Sequence, residues 1–116
     1  MSRSVLIVED EPLIAMMLED FVESLGHRVV GSCDTVERAL VHVAEGGFDI
    51  AILDVQLRGA TCWPIADALS ERDIPFLFAT GGHVETPPAR HAATPLLAKP
   101  FTLDGVRTAL DGVTAN

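Results

Sequence analysis

Val5-Leu6-Ile7-Val8-Glu9-Asp10-Glu11-Pro12 places four apolar residues in a row ahead of three acids and a proline. An unbroken apolar run, as opposed to an alternating one, reads as a strand covered on both faces, the condition of a strand inside a parallel sheet. Acids followed by Pro12 mark a helix start, because the first helical turn has no use for the N–H that proline lacks. The pattern recurs downstream. Phe48-Asp49-Ile50-Ala51-Ile52-Leu53-Asp54 is a second buried strand that ends in a carboxylate. Pro75-Phe76-Leu77-Phe78-Ala79-Thr80 ends in a hydroxyl, and Leu96-Leu97-Ala98 leads into Lys99-Pro100-Phe101. Arg28 to Cys33 reads as a shorter strand.

Helical patterns fill the gaps. One runs from Pro12 to Leu25 and stops at Gly26. Another starts with Asp34 as its cap, continues to about Glu45 and ends at Gly46-Gly47. A third covers Thr61 to Glu71, with Pro64 tolerated in the first turn. The last runs from about Leu103 to Gly112, capped by Thr102, with Val106, Ala109, Leu110 and Val113 on one face. Between His83 and Pro95 the prolines Pro87, Pro88 and Pro95 leave room for a short helix at most, about Pro88 to Ala93. Strands alternating with helices predict an α/β fold. The expectation is one domain over residues 1–116, with five parallel strands and helices on both faces.

The chain has 116 residues, a net charge of −9 and 48% hydrophobic residues, a composition that builds a core without staples. Its acidity argues against nucleic acid, which requires clustered Lys and Arg. No apolar run approaches the ~18 residues of a membrane span. The start has no signal-peptide layout, so a cytoplasmic protein is expected. This length leaves no room for an attached effector, so another protein is expected to read any output. Cys33 and Cys62 read as reduced and structural. His27, His42, His83 and His91 lack metal-ligand spacing and read as surface or partly packed.

Ligands of open α/β sheets bind beyond the carboxyl ends of the strands. Those ends present Glu9, Asp10 and Glu11, then Asp54, then Thr80, then Lys99. Carboxylates brought together there repel one another unless a hard cation such as Mg²⁺ joins them. An aspartate is a known type of phosphoryl acceptor. Phosphoryl transfer needs positioning and charge stabilisation, which a lysine and a hydroxyl supply.

These four segments together resemble the response-regulator receiver domain, the CheY-like fold of two-component signalling. The resemblance rests on residues 5–12, Ile52-Leu53-Asp54, Phe78-Ala79-Thr80-Gly81 and Lys99-Pro100-Phe101. It implies a flavodoxin-like five-stranded sheet with Asp54 as phosphoacceptor. Asp10 is then the direct metal ligand, Glu9 acts through water, and the Gln56 carbonyl completes a Mg²⁺ site. Thr80 and Lys99 meet the phosphoryl group, and Gly81 leaves the site open to a donor. Three departures stand out. Glu9 replaces the usual Asp, and Leu96 replaces the aromatic residue three positions before the lysine. The helix after the fourth strand is eroded by prolines. The second and third departures, with Phe78-Ala79-Thr80-Gly81-Gly82-His83, resemble the FATGUY subfamily of receivers, which implies a sensor histidine kinase partner of HWE type or a histidine phosphotransfer protein.

Gly81, Gly82 and His83 are the expected switch. On the first helix Ile14, Leu18, Phe21, Val22 and Leu25 suit a core face, while Leu13, Met16 and Met17 widen it. Leu13, Ile14 and Met17, joined by Pro100 and Phe101, are the expected partner surface. Trp63 reads as a local packing residue near the Asp54 loop. A monomer is expected, since the eroded helix weakens the common receiver dimer face. Two other readings stay open: a pseudo-receiver that binds partners without phosphorylation, and a small phosphatase using Asp54 as a transient nucleophile. Gln56 stands where such a phosphatase carries its second acid.

Overall fold

The computed structural model describes residues 2–81 and 86–113. Its elements are β1 (Ser4–Val8), α1 (Pro12–Ser24), β2 (Arg28–Cys33), α2 (Val36–Glu45), β3 (Ile50–Asp54), β4 (Gln56–Leu57), β5 (Ala60–Thr61), α3 (Trp63–Glu71), β6 (Phe76–Thr80), β7 (Leu96–Ala98) and α4 (Leu103–Gly112). Five strands form one parallel sheet in the order β2-β1-β3-β6-β7. This is the expected CheY-like architecture.

The apolar runs divide by alternation. Val5 and Ile7 of β1, Ile50 and Ile52 of β3, and Leu77 and Ala79 of β6 face α1 and α4, where they meet Leu18, Val22, Val106 and Leu110. Leu6, Val8, Ala51, Leu53 and Phe78 point the other way, toward Ala39 and Val43 of α2 and Ile65, Ala66 and Leu69 of α3. Each fully buried Leu, Ile or Val contributes ~1.5–3 kcal/mol. The central strands are therefore anchored on both faces, and their carboxyl ends are held where the site requires them.

Local signals explain the helix ends. Thr102 caps α4, its Oγ1 accepting the Gly105 N–H at 2.9 Å. At α2 the cap is Thr35, whose Oγ1 accepts the Arg38 N–H at 3.2 Å. The expected cap, Asp34, instead accepts hydrogen bonds from the Arg38 and Arg58 guanidiniums at 3.0 and 3.1 Å. Helix α2 also presses on the edge strand: a Cβ at Gly31 would stand 2.9 Å from His42 Cε1.

The structure adds an element that the sequence reading did not expect. The residues after β3 form a hairpin, β4 paired antiparallel with β5, turning at Arg58-Gly59. Both turn residues have positive φ, 46° and 82°, as a type I′ turn requires. Where the prolines left room for a short helix at most, about Pro88 to Ala93, the structure has a single 3₁₀ turn, Ala89–His91. Pro88 disfavours the helical conformation in Pro87 and cannot donate to a preceding turn, so no longer helix starts there. His91, expected at or near the surface, is buried, only 4% exposed. His27 and His42 are half-buried. His83 lies outside the described residues, as does Gly82 of the expected switch.

Candidate functional site

Strand β1 ends at Val8, and the next two residues carry carboxylates across the top of the sheet. Its neighbour β3 ends in Asp54, and β6 in Thr80. Lys99 follows β7, and its N–H donates to the Thr80 carbonyl at 2.7 Å. The parallel order places these ends side by side. They line one cleft of about 310 Å³ with Asp10, Asp54, Gln56, Thr80, Gly81 and Lys99 in its wall. The structure thus brings together residues from four separated segments.

Three acids crowd together at this edge, two of them, Asp10 and Asp54, in the cleft wall. Glu9, Asp10 and Asp54 each offer a carboxylate oxygen within 4.8 Å of the others. Glu9 and Asp54 are buried. Lys99 Nζ reaches Glu9 Oε1 at 2.9 Å and Asp54 Oδ2 at 3.4 Å. The contact with Glu9 is an ion pair without hydrogen-bond alignment, so Oε1 is a buried oxygen with no hydrogen bond. Glu9 Oε2 accepts the Glu11 N–H at 3.1 Å.

The charges follow from this packing. Burial and the neighbouring Glu9 push the Asp54 carboxyl up to about 7, against the pull of Lys99. Burial opposes the charge of Asp10 as well, yet the Arg58 N–H and the adjacent acids hold its carboxyl below the usual range. Burial disfavours the Lys99 ammonium, but Glu9 and Asp54 raise it above its ordinary value. Among the described residues Lys99 alone pairs with these acids, which leaves three carboxyls to one cation.

The donor set suits Mg²⁺. Hard oxygen ligands at ~2.1 Å span at most ~4.2 Å across an octahedron. Three carboxylate oxygens within 4.8 Å of one another are near enough for one ion to share, directly or through its waters. Gln56, on β4, borders the same space.

Sequence reasoning missed Arg58. Its backbone N–H donates to Asp10 Oδ2 at 3.0 Å, tying the β4–β5 hairpin over the acids. The signal was the Arg58-Gly59 pair, a two-residue hairpin turn.

The residues of the expected partner surface differ in exposure. Leu13, Met16 and Met17 are exposed, at 78%, 59% and 39%. A second cleft, about 320 Å³ and almost wholly apolar, lies between Ile14, Met17, Lys99, Pro100 and Phe101. Ile14 is half-buried against the core, and Pro100 is exposed. Phe101 must be corrected: it is only 6% exposed and packs into the α1–α4 core, so it floors the cleft and offers little face to a partner. Trp63 packs edge-on against Phe78, ring centroids 5.3 Å apart.

A five-stranded parallel sheet with acids, a hydroxyl and a lysine at its carboxyl edge defines a receiver domain. Residues 5–111 match the model of the response regulator receiver domain, and the chain belongs to that family. It is similar to SdrG from Sphingomonas melonis Fr1, at 58% identity over 93% of this chain and 92% of that one, with a TM-score of 0.85. It is also similar to the BeF₃-activated conformation of SdrG from Pseudomonas melonis Fr1, at 57% identity over 93% and 92%, TM-score 0.79. The phyllosphere-induced regulator PhyR of Methylorubrum extorquens is 40% identical over 83 residues, 69% of this chain and 31% of that protein. The chain thus spans under a third of that relative. Among the described residues no helix is long and apolar enough to cross a membrane.

Proposed function

We propose that the chain accepts a phosphoryl group on Asp54 from a phosphohistidine and passes the signal on through protein contacts. The convergence of Asp10, Asp54, Thr80 and Lys99 in one cleft, with the buried Glu9 paired to Lys99 beside it, carries this reading. An Asp54 Oδ attacks phosphorus; the P–N bond to the donor imidazole breaks as the P–O bond of an acyl phosphate forms. The imidazole nitrogen leaves with its electron pair. Lys99 faces the charge gathered on the phosphoryl oxygens, and the Thr80 hydroxyl donates to one of them. Mg²⁺ held by Asp10, Asp54 and the Gln56 carbonyl, with Glu9 through water, would neutralise the acids and draw in the phosphoryl oxygens.

The donor is a sensor histidine kinase, HWE type by resemblance, or a histidine phosphotransfer protein. It docks on Leu13, Met16, Met17 and the apolar cleft beside Pro100, which shares Lys99 with the reacting cleft. A relative 57% identical has a BeF₃-activated conformation, which supports an acidic acceptor here. The test is acetyl phosphate with Mg²⁺, comparing wild type with Asp54→Ala by intact mass. A phosphoryl adduct lost in Asp54→Ala is expected. Absence of an adduct in both favours a pseudo-receiver, and rapid turnover of small phosphoesters favours a hydrolase.

A further inference from the structure

We propose that Asp67, Arg90 and His91 form a latch that fastens the β6–β7 connection to α3 in the resting protein, and that phosphorylation of Asp54 opens it. The coupling half of this inference rests on Asp54 being the phosphoacceptor.

Residues 86–95 have no helix with which to hold themselves down. Apart from the Pro95 carbonyl, which accepts from Phe78, their backbone bonds among the described residues are local: His91 N–H to Pro88, Ala92 N–H to Ala89 and Thr94 N–H to His91. Among these ten positions His91 alone is buried. Its ring lies edge-on to Phe76 and Phe78 of β6, with centroids at 5.6 and 6.2 Å. Its Nε2 lies 2.7 Å from Asp67 Oδ1 on α3. Arg90 grips the same carboxylate with both arms, Nε to Oδ1 at 2.7 Å and the terminal nitrogen to Oδ2 at 2.9 Å. The Arg90 fork and the His91 ring hold the Asp67 carboxyl down at about 2. Asp67 is thus an acceptor only, and His91 Nε2 carries the donated proton.

The latch is tied to the cleft through β6. Phe78, the strand residue against which His91 packs, stands two positions before Thr80 and also packs on Trp63. Beyond the latch, the Pro95 carbonyl accepts the Phe78 N–H at 3.0 Å, and Lys99 N–H bonds Thr80 at 2.7 Å. A Thr80 drawn toward a phosphoryl group pulls on the strand that forms the wall of the His91 slot. The receiver's usual aromatic switch is absent: Leu96 holds that position and is 59% exposed, with no ring to swing inward. The latch gives the site another element to move, one held by few contacts and so readily released.

Amide hydrogen exchange on the full chain tests this. Asp67→Asn is expected to speed exchange at His91, Ala92 and Thr94 about 5-fold or more without beryllofluoride, leaving the α3 amides unchanged. Arg90→Gln, on an exposed side chain, should produce a smaller rise at the same amides. Because coupling is reciprocal, Asp67→Asn should also bind beryllofluoride with Mg²⁺ about 5-fold more tightly. Unchanged exchange in both variants overturns the latch. Faster exchange with unchanged beryllofluoride affinity overturns its coupling to Asp54. Wild-type protein that fails to bind beryllofluoride overturns the Asp54 reading and the coupling together. That failure is distinct from a failed latch, because the exchange comparison of the variants uses no ligand.

Discussion

The Lys99 side chain crosses the backbone of Gly81 so closely that a Cβ there would stand 3.2 Å from Lys99 Cδ. The ammonium beyond that Cδ is the counter-charge to Glu9 and Asp54. Gly81→Ala must push the stem aside by a few tenths of an ångström. The stem is flexible, so stability should change little. The phosphoryl contact should suffer, because a displacement near ~1 Å costs on the order of 100-fold in positioning, and a third of that about 3- to 5-fold. Acetyl-phosphate labelling rates, with thermal melting alongside, check this. An equal rate at equal stability would show that the stem yields without moving its charge.

Asp54 predicts a pH effect of definite sign. In the metal-free fold its carboxyl is pushed from 3.8 to about 7 by burial and Glu9. The folded state therefore retains a proton that the unfolded chain releases. Asp54's contribution to stability is fully present below 3.8 and is lost as pH rises through about 7. Asp54→Asn cannot ionise and escapes that loss. It should match wild type near pH 4 and exceed it by about 1–2 kcal/mol or more above neutrality, since each tenfold change in an ionisation constant is worth about 1.4 kcal/mol. Urea titrations across that range in EDTA measure it. A constant difference between the two proteins at all pH values contradicts the assigned shift.

Much of this was legible early, and the reasons are physical. Runs such as Ile50-Ala51-Ile52-Leu53 announce a doubly covered strand from residue type alone, and a parallel sheet puts the next residue at the ligand edge. Glu9, Asp10, Asp54, Thr80 and Lys99 are therefore placed at that edge by residue type and order alone. His91 could not. Its burial depends on Asp67, 24 positions earlier, and on the Phe76 and Phe78 rings, and no periodicity links them. Phe101 misled for the opposite reason: the resemblance to receivers put it on the docking face, while the turn into α4 directs the ring into the core. The Arg58 N–H on Asp10 depends on a backbone turn of two residues, which leaves only a Gly as its trace.

Metal addition should stabilise the protein. A ligand bound only by the folded state adds RT ln(1 + [L]/Kd), about 1.4 kcal/mol at roughly ten times Kd. Asp10→Asn removes one of the three carboxylates and should abolish most of the gain, while retaining an oxygen for the Arg58 N–H and so the hairpin. Thermal melts with and without Mg²⁺ compare the two proteins. Quenching of Trp63, which packs on Phe78 of the strand leading to Thr80, offers a second signal. Equal stabilisation of wild type and Asp10→Asn would place the cation elsewhere.

Leu13 separates docking from chemistry. Its side chain is 78% exposed on the first turn of α1 and contributes nothing to the described core. Leu13→Arg should therefore fold with a stability change within about 0.5 kcal/mol, as surface substitutions do. Acetyl phosphate is small and reaches Asp54 through the cleft without touching α1, so labelling from it should match wild type. A kinase has to seat a phosphohistidine over the same cleft, and the apolar ground beside it is Leu13, Met16, Met17 and the groove at Pro100. An arginine there leaves a charge to be desolvated at the centre of that contact, which costs ~2–5 kcal/mol in an interface, or about 30-fold or more in transfer from the kinase. The two donors should thus diverge in one variant. Parallel loss from both would mean that α1 serves the site's geometry, and no loss from either would move the partner to another face.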